Sequence, residues 1–271
     1  FNKNVRTQKT SFQSVKRKKD DIASILYTSG TTGRSKGAML SHNNLFSNTI
    51  ELLRTWKFNG NDVLLHALPI YHIHGLFVAC NLCLLSGAKI YFIKKFQTET
   101  VIEYLPKSTV MMGVPTFYTR LIESNKLNIQ ITKNIRVFIS GSAPLLSETH
   151  KEFERLTGHK ILERYGMTET NMNTSNPYDG ERRAGTVGFP LPGIKIRITD
   201  TEKNHKMVSE KIGMIEIKDE NVFEGYWKMS DKTKESFTDD GYFVTGDLGK
   251  FSSDGYLSII GRNKDLIISG G

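Results

Sequence analysis

The side chains with the clearest chemistry lie in one glycine- and hydroxyl-rich segment at residues 27–37, which reads YTSGTTGRSKG. Glycines let a backbone turn tightly and approach a ligand closely. Hydroxyls and exposed backbone N–H groups can donate to phosphate oxygens, and Lys36 adds a positive charge. The segment differs from the common P-loop, because Gly37 rather than Ser or Thr follows the lysine. The order of hydroxyls, glycines and lysine favours a phosphate-binding loop over a flexible turn.

Three more motifs carry polar groups suited to nucleotide chemistry. They are YGMTE at residues 165–169, TGD at residues 245–247 and GRNKD at residues 261–265. Taken singly, Glu169 could cap a helix, Asp247 could belong to a turn and Tyr165 could be core. Together with the glycine-rich segment, and in this order, the motifs resemble those of the adenylate-forming superfamily, which includes acyl-CoA synthetases, luciferases and peptide-synthetase adenylation domains.

This resemblance implies an enzyme that uses ATP and Mg²⁺ to join a carboxylate to AMP and then transfers the acyl group to the co-substrate CoA. Lys36, Thr168 and Glu169 are the implied catalytic side chains, with Glu169 binding Mg²⁺ through its carboxylate. By the same resemblance, Tyr165 stacks on adenine and Asp247 accepts hydrogen bonds from the ribose. The implied nucleotide-binding residues are Thr28, Ser29, Gly30, Thr31, Thr32, Gly33, Lys36, Gly141, Ser142, Ala143, Pro144, Tyr165, Gly166, Met167, Thr168, Asp247 and Arg262.

Lys264 has a separate implied role. In the superfamily the residue at this place is a hinge, about which a mobile C-terminal domain rotates between two poses. That domain, which has its own catalytic lysine, and a preceding N-terminal region are expected outside the 271 residues. The expectation is therefore the central part of a longer enzyme.

The residues next to the YGMTE motif indicate which acid is activated. Arg164 supplies a guanidinium that can bind a second substrate carboxylate through two hydrogen bonds, whereas a fatty-acid site would be apolar. Segments 69–76 and 163–177 resemble the malonate-activating acyl-CoA synthetases. This closer resemblance implies that His74 lines the acid pocket. Ser142 is expected to bind the substrate carboxylate as well as to border adenine. Methylmalonate or another short acid is the alternative substrate.

Other interpretations of these charged residues remain open. Arg164 could form a surface ion pair with Glu163 or another neighbour instead. His72 and His74 would share one face of an extended segment and could bind a metal, although no further ligand cluster is evident. The arginines at 182–183 are expected to be solvated loop charges.

The elements that position the motifs alternate between strands and helices. Strand-like runs lie at residues 21–27, 63–68, 89–92, 109–113 and 135–140. Helices are indicated between them by capping residues at 41–44 and by Pro144 and Ser147. The alternation predicts an α/β layered core with a largely parallel sheet.

The pattern of predicted secondary structure changes at about Gly185. Short alternating strands at 195–199, 213–218 and 256–260 predict a smaller β-rich subdomain. The expected domain organisation is a basic arm at 1–20, an α/β nucleotide- and acid-binding subdomain at 21–184, the β-rich subdomain at 185–260 and a hinge at 261–271.

The net charge of +9 is concentrated at the start of the chain. Residues 1–20 carry seven basic side chains against Asp20 alone, a net +6. Such a cluster attracts phosphates, so a non-catalytic nucleotide- or nucleic-acid-binding protein is the alternative function class. No aromatic residue lies within the densest basic run, at 16–19, to stack on bases, which favours a solvated linker and small-molecule substrates over nucleic acid.

Cysteine content and hydropathy indicate the cellular location. Cys80 and Cys83 lie in an apolar stretch and are expected to share one buried helix face, since no second pair completes a zinc site. Few cysteines and no visible signal peptide predict a cytoplasmic location. No membrane span is expected, because no apolar run reaches the roughly 18–20 residues that one needs.

Overall fold

The computed structural model describes residues 7, 11, 13–28, 35–200 and 210–265. Ser29, Gly30, Thr31, Thr32 and Gly33 of the predicted phosphate loop lie outside the described residues. Much of the predicted basic arm, at residues 1–6, 8–10 and 12, lies outside them too.

The strands and helices follow one another in α/β alternation and then give way to strands. The strands are β1 (Ile22–Thr28), β2 (Lys36–Ser41), β3 (Val63–His66), β4 (Lys89–Phe92), β5 (Val110–Gly113), β6 (Val137–Ser140), β7 (Leu162–Met167), β8 (Asn171–Ser175), β9 (Phe189–Pro190), β10 (Lys195–Thr199), β11 (Gly213–Lys218), β12 (Gly225–Tyr226), β13 (Phe243–Phe251) and β14 (Leu257–Arg262). The helices are α1 (His42–Thr55), α2 (Asn81–Ser86), α3 (Thr98–Tyr104), α4 (Pro115–Glu123), α5 (Ile129–Thr132), α6 (Ser147–Thr157) and α7 (Ser230–Glu235). A π-helical segment spans His74–Cys80, and 3-10 turns span Leu105–Lys107 and Asn263–Asp265.

A seven-stranded sheet forms the centre of the fold, in the order β4-β3-β5-β6-β7-β8-β9. The first five strands of this order are parallel, and β8 and β9 extend the sheet antiparallel. The central strands β5 and β6 read VMMG and VFIS and are buried along their whole length, as parallel strands between two layers of helices must be. The predicted fold class, an α/β core with a largely parallel sheet, is confirmed.

Alternate residues of the central strands point into two separate apolar cores, because side chains alternate across a strand. Met112 belongs to the core that contains Leu52 from α1 and Trp56 directly after it. Its neighbour Met111 belongs to the core that contains Phe153 from α6. The sheet is therefore held from both sides, which fixes the positions of the loops at its carboxyl edge.

Two antiparallel sheets, β1-β2-β12 and β10-β11-β13-β14, accompany the central one. In the first, Thr28 pairs with Lys36, so the two ends of the glycine-rich segment are held together. In the second, Asp247 pairs with Arg262, which brings the TGD and GRNKD motifs side by side. Strands thus predominate after Gly185, while the predicted domain boundaries stay predictions.

The geometry considered for the two histidines at 72–74 is wrong. The chain turns at His72, and helical backbone begins at the next residue and continues as the π-helical segment. His72 is exposed, whereas His74 is buried with Gly75 and Val78 against the sheet. The apolar run that follows His74 buries its side chains as a helix rather than as a strand. The two histidines therefore do not share one face of an extended segment.

The two cysteines lie in helical backbone, as predicted. Cys83 is part of the core, and Cys80 is half-buried. Burial raises the pKa of both thiols, that of Cys83 to about 12. Neither is therefore a ready thiolate. Among the described residues, no helix has both the length and the apolar character that crossing a membrane requires.

Candidate active site

A cavity of about 890 Å³ opens at the carboxyl ends of the parallel strands, where open α/β sheets bind ligands. Pro69 after β3, Val114 after β5 and Ser142 after β6 line one wall. The antiparallel sheets also contribute to the lining, through Lys36 and Tyr226. A second cavity of about 250 Å³ adjoins it, with a lining shared in part between the two.

The predicted site residues that the structure describes all line one of these two cavities. Those on the larger cavity are Thr28, Lys36, His74, Ser142, Gly166, Met167, Thr168, Glu169, Arg262 and Lys264. Those on the smaller cavity are Gly141, Ser142, Ala143, Pro144, Arg164, Tyr165, Gly166, Met167, Asp247 and Arg262. Motifs more than 200 residues apart in sequence are therefore neighbours in the fold.

Lys36 and Glu169 face each other across the hydroxyl of Tyr226. Lys36 Nζ donates to Tyr226 Oη at 3.2 Å and lies 4.4 Å from the centre of the Tyr226 ring. Tyr226 in turn donates to Glu169 Oε1 at 2.9 Å. Burial lowers the pKa of Lys36; Glu169 opposes this shift, and Lys232 and Lys264 add to it. The group combines a cation suited to phosphate with a carboxylate suited to a hard metal ion.

Asp247 sits between Tyr165 and Arg262. The Tyr165 hydroxyl donates to Asp247 Oδ2 at 2.5 Å, and Arg262 Nε donates to Asp247 Oδ1 at 2.8 Å. Burial raises the pKa of the Asp247 carboxyl, and both partners oppose that rise. A carboxylate has about four lone-pair positions, so about two remain for further donors such as sugar hydroxyls. Gly246 precedes Asp247 with a φ of +77°, a conformation that favours glycine.

Arg164 is buried with unsatisfied hydrogen-bond donors. Its side chain lies on the smaller cavity, the residue is 3% exposed, and Nε and Nη2 have no partner among the described residues. Burial lowers the pKa of Arg164 to about 9. The guanidinium packs on Gly141, where a Cβ would lie 2.4 Å from Arg164 Cζ. An unpaired buried cation is costly, and a bound anion would remove that cost.

The surface ion pair considered for Arg164 is wrong. Glu163 is also buried, and its Oε1 accepts from the backbone N–H of Gly185 at 3.2 Å and lies 3.3 Å from His150 Nδ1. Adjacent residues on a strand point to opposite faces, so Glu163 cannot reach the guanidinium of its neighbour.

His74 and Ser142 meet at the junction of the two cavities. Ser142 Oγ and His74 Nδ1 are 3.4 Å apart, and His74 Nε2 is buried with no partner in the described part of the chain. Burial, with the positive charge of Arg164, holds the pKa of His74 well below its usual range, so the imidazole is neutral. Ser142 has a φ of +72°, a strained conformation of the kind that clusters at ligand sites.

Two groups of residues were not anticipated correctly. Tyr226 was missed, because its link to Lys36 comes from the pairing of β12 with β2, which no local pattern shows. Arg182 is not a solvated charge: it donates to the backbone carbonyls of Lys160 and Tyr178, both at 2.9 Å. Arg183 pairs with Asp254 at 2.8 Å. Both arginines therefore tie the loop that follows β8 to its surroundings.

Comparison with known proteins supports the motif assignment. The AMP-binding enzyme family matches residues 2–227 of the chain. Malonate–CoA ligase of Arabidopsis thaliana is 40% identical over 285 residues, covering 97% of this chain and 46% of that protein. The crystal structure of ATP-bound MatB from Rhodopseudomonas palustris is 56% identical with a TM-score of 0.96, covering 100% of this chain and 54% of that one.

A third relative was solved with reaction products bound. The ternary product complex of a malonyl-CoA ligase with methylmalonyl-CoA and AMP is 39% identical with a TM-score of 0.84, covering 90% of this chain and 54% of that one. The chain spans about half the length of the curated relatives that it matches. By the extent of the family match and the identity to these relatives, the chain belongs to the family of AMP-binding enzymes.

Proposed function

We propose that the chain is the nucleotide- and acid-binding part of an AMP-forming acid–CoA ligase whose acid is malonate. One observation carries the choice of acid: Arg164 is buried on a cavity shared with the nucleotide motifs and has two donors without a partner among the described residues. A monocarboxylate would leave this cation unpaired, whereas the second carboxylate of malonate matches a guanidinium fork. The activities named for the relatives point the same way.

The proposed reaction has two steps. A carboxylate oxygen of malonate attacks the α-phosphorus of ATP, and the bond from that phosphorus to the bridging oxygen breaks, releasing pyrophosphate and leaving malonyl-AMP. The CoA thiolate then attacks the acyl carbon, and AMP leaves as the carbon–sulfur bond forms. The residues contribute mainly by positioning and charge stabilisation: Lys36 on the phosphates, Asp247 on the nucleoside and Arg164 on the distal carboxylate.

Glu169 fits the proposed Mg²⁺ by the chemistry of its oxygens, which are the donors that this hard ion prefers. Within the described ranges, no group of three or more His, Cys, Asp or Glu side chains could hold a metal ion. The other ligands would therefore be phosphate oxygens and water, as is usual for Mg²⁺ bound with a nucleotide. When bound, the ion would neutralise phosphate charge, and Thr168 would border the same phosphates.

Methylmalonate is the second candidate substrate, because one relative was solved with methylmalonyl-CoA. It has the same two carboxylates, so Arg164 serves both acids and the room beside the central carbon distinguishes them. A non-catalytic nucleotide- or nucleic-acid-binding role is supported less well, since the described motif residues converge on two cavities. The hinge role of Lys264, the domain boundaries and a cytoplasmic location remain proposals.

The test is ATP–pyrophosphate exchange by the full-length gene product with malonate, methylmalonate, acetate and octanoate. Strong exchange with the two dicarboxylates and little with octanoate is expected. Preference for acetate or octanoate would contradict the choice of acid and leave adenylation intact. If no acid supported exchange, deletion of residues 1–20 would address the alternative, because salt-dependent nucleic-acid binding would then be lost with the arm.

A further inference from the structure

Two side chains of opposite charge lie at the larger cavity and have different proposed partners. Lys36 is suited to phosphate, and Glu169 is suited to a metal ion. A cation and a carboxylate near each other in a partly buried site attract strongly, and a direct ion pair would occupy both. No direct ion pair joins them in the described contacts; each is hydrogen-bonded to the Tyr226 hydroxyl instead.

The hydroxyl of Tyr226 suits this intermediate place because it donates one hydrogen bond and accepts others. It accepts from Lys36 Nζ at 3.2 Å and donates to Glu169 Oε1 at 2.9 Å. Tyr226 is 4% exposed, so water does not compete freely for these bonds.

Backbone hydrogen bonds fix the relative positions of Lys36, Glu169 and Tyr226. Tyr226 lies on β12, which pairs with the strand that begins at Lys36. The backbone N–H of Trp227 donates to Gly37 O at 2.7 Å, and the N–H of Tyr226 donates to Thr233 Oγ1 at 2.9 Å. The Glu169 carbonyl accepts from a backbone N–H three residues before Tyr226, at 2.8 Å. The hydroxyl is thus placed by main-chain contacts rather than by the charges that it separates.

We propose that Tyr226 is a positioning residue that acts as a spacer: its hydroxyl prevents a direct ion pair between Lys36 and Glu169, which leaves one free to bind phosphate and the other free to bind Mg²⁺. The role of these two ligands rests on the proposed function, whereas the separation of the two charges does not.

Tyr226→Phe tests the spacer, since it removes one oxygen and keeps the ring. Without the hydroxyl, Lys36 pairs directly with Glu169. Tyr256→Phe is the matched control, because the Tyr256 hydroxyl donates to a backbone carbonyl at 2.8 Å and lines neither cavity. Equal thermal unfolding temperatures of the two variants show that differences at Lys36 do not come from misfolding.

The first readout needs no nucleotide. Trace labelling of the full-length gene product with acetic anhydride at pH 8 measures the neutral fraction of Lys36, with the exposed Lys151 as internal standard. A direct ion pair favours the charged amine, so Y226F should lower Lys36 labelling by about threefold to tenfold. In the double variant Glu169→Gln with Tyr226→Phe, labelling should return to the wild-type level or above. Unchanged or higher labelling in Y226F would overturn the proposal.

The second readout is binding of α,β-methylene-ATP in EDTA, which isolates the Lys36 contribution from the metal. Y226F should weaken binding about tenfold when Glu169 is present, but about twofold or less in the E169Q background. With MgATP and malonate, the KM for ATP should rise about tenfold while kcat stays within about threefold. Equal loss of binding in both backgrounds, or a fall in kcat alone, would contradict a spacer.

The two proposals fail separately. Absence of ATP–pyrophosphate exchange by the wild-type protein would defeat the ligase function, and the labelling result would still decide whether Tyr226 separates Lys36 from Glu169. Conversely, normal exchange with unchanged labelling in Y226F would leave the ligase function and defeat the spacer.

Discussion

Arg164→Met should make the protein more stable while removing the proposed use of malonate. The guanidinium is buried, and two of its donors have no partner among the described residues, so folding desolvates a charge without compensation. Methionine is similar in length, flexible and apolar, so it can fill the same space. A residue retained at a cost to stability is what a binding role predicts.

The size of the effect follows from the pKa of Arg164. A fall from 12.5 to about 9 corresponds to about 5 kcal/mol against the charged form in the folded state. Relaxation and water penetration reduce the net value, and replacing buried ionic groups by apolar ones typically gains about 1–4 kcal/mol. A gain of that size raises the unfolding temperature by roughly 3–10 °C.

The sign of the pH dependence is fixed by the same shift. Because folding lowers this pKa, the penalty is present at every pH below about 9 and fades as the pH rises towards 12.5. The stability difference between R164M and wild type is therefore largest near neutral pH and narrows above pH 9.

The assay is thermal unfolding of the full-length gene product and of R164M, with Arg155→Met as control because Arg155 forms an exposed pair on α6. With AMP present throughout, adding malonate should further raise the unfolding temperature of the wild type and of R155M but not of R164M. A lower unfolding temperature for R164M, with R155M unchanged, would refute the reasoning, because it would mean that the guanidinium has a stabilising partner in the folded protein.

Two further substitutions test other parts of the site. Asp247→Asn should raise the KM for ATP about tenfold through loss of a charged acceptor, while the KM for malonate changes by less than about twofold. Asp254→Asn, which breaks an exposed ion pair, is the control, and equal effects of the two substitutions would contradict the role of Asp247 in binding the nucleoside. Gly141→Ala should displace the guanidinium of Arg164, because the added Cβ would lie 2.4 Å from Cζ. Steady-state kinetics should show a KM for malonate raised about tenfold or more, by a larger factor than the KM for ATP, and an unchanged KM for malonate would show that the packing is not required.

The sequence indicated which residues would lie close together where the motifs follow strands of the parallel sheet. The glycine at 141 and the YGMTE motif lie at the carboxyl ends of β6 and β7, and parallel strands bring such ends to one edge. Their proximity therefore follows from the alternation of strands and helices, which the sequence itself indicates. Arg164 was singled out from its residue type beside the motif as a partner for a second carboxylate, whereas its burial comes from the structure.

The rest depends on contacts that no local pattern encodes. Tyr226 reaches Lys36 only because β12 pairs with β2 across nearly 190 residues of chain. His74 is buried because the apolar run after it forms a π-helical segment, which alternation in the sequence does not distinguish from an extended one. Arg182 looked like a loop charge, since its acceptors are backbone carbonyls, which carry no residue signature.

Substrate selection by R164M, measured as ATP–pyrophosphate exchange with malonate and with acetate, is the decisive test of the proposed role of Arg164. If Arg164 pairs with the distal carboxylate, kcat/KM for malonate falls about 100-fold or more, while that for acetate changes by less than about threefold. Equal losses for the two acids, or unchanged use of malonate, would contradict the assignment of Arg164 as the group that recognises the second carboxylate.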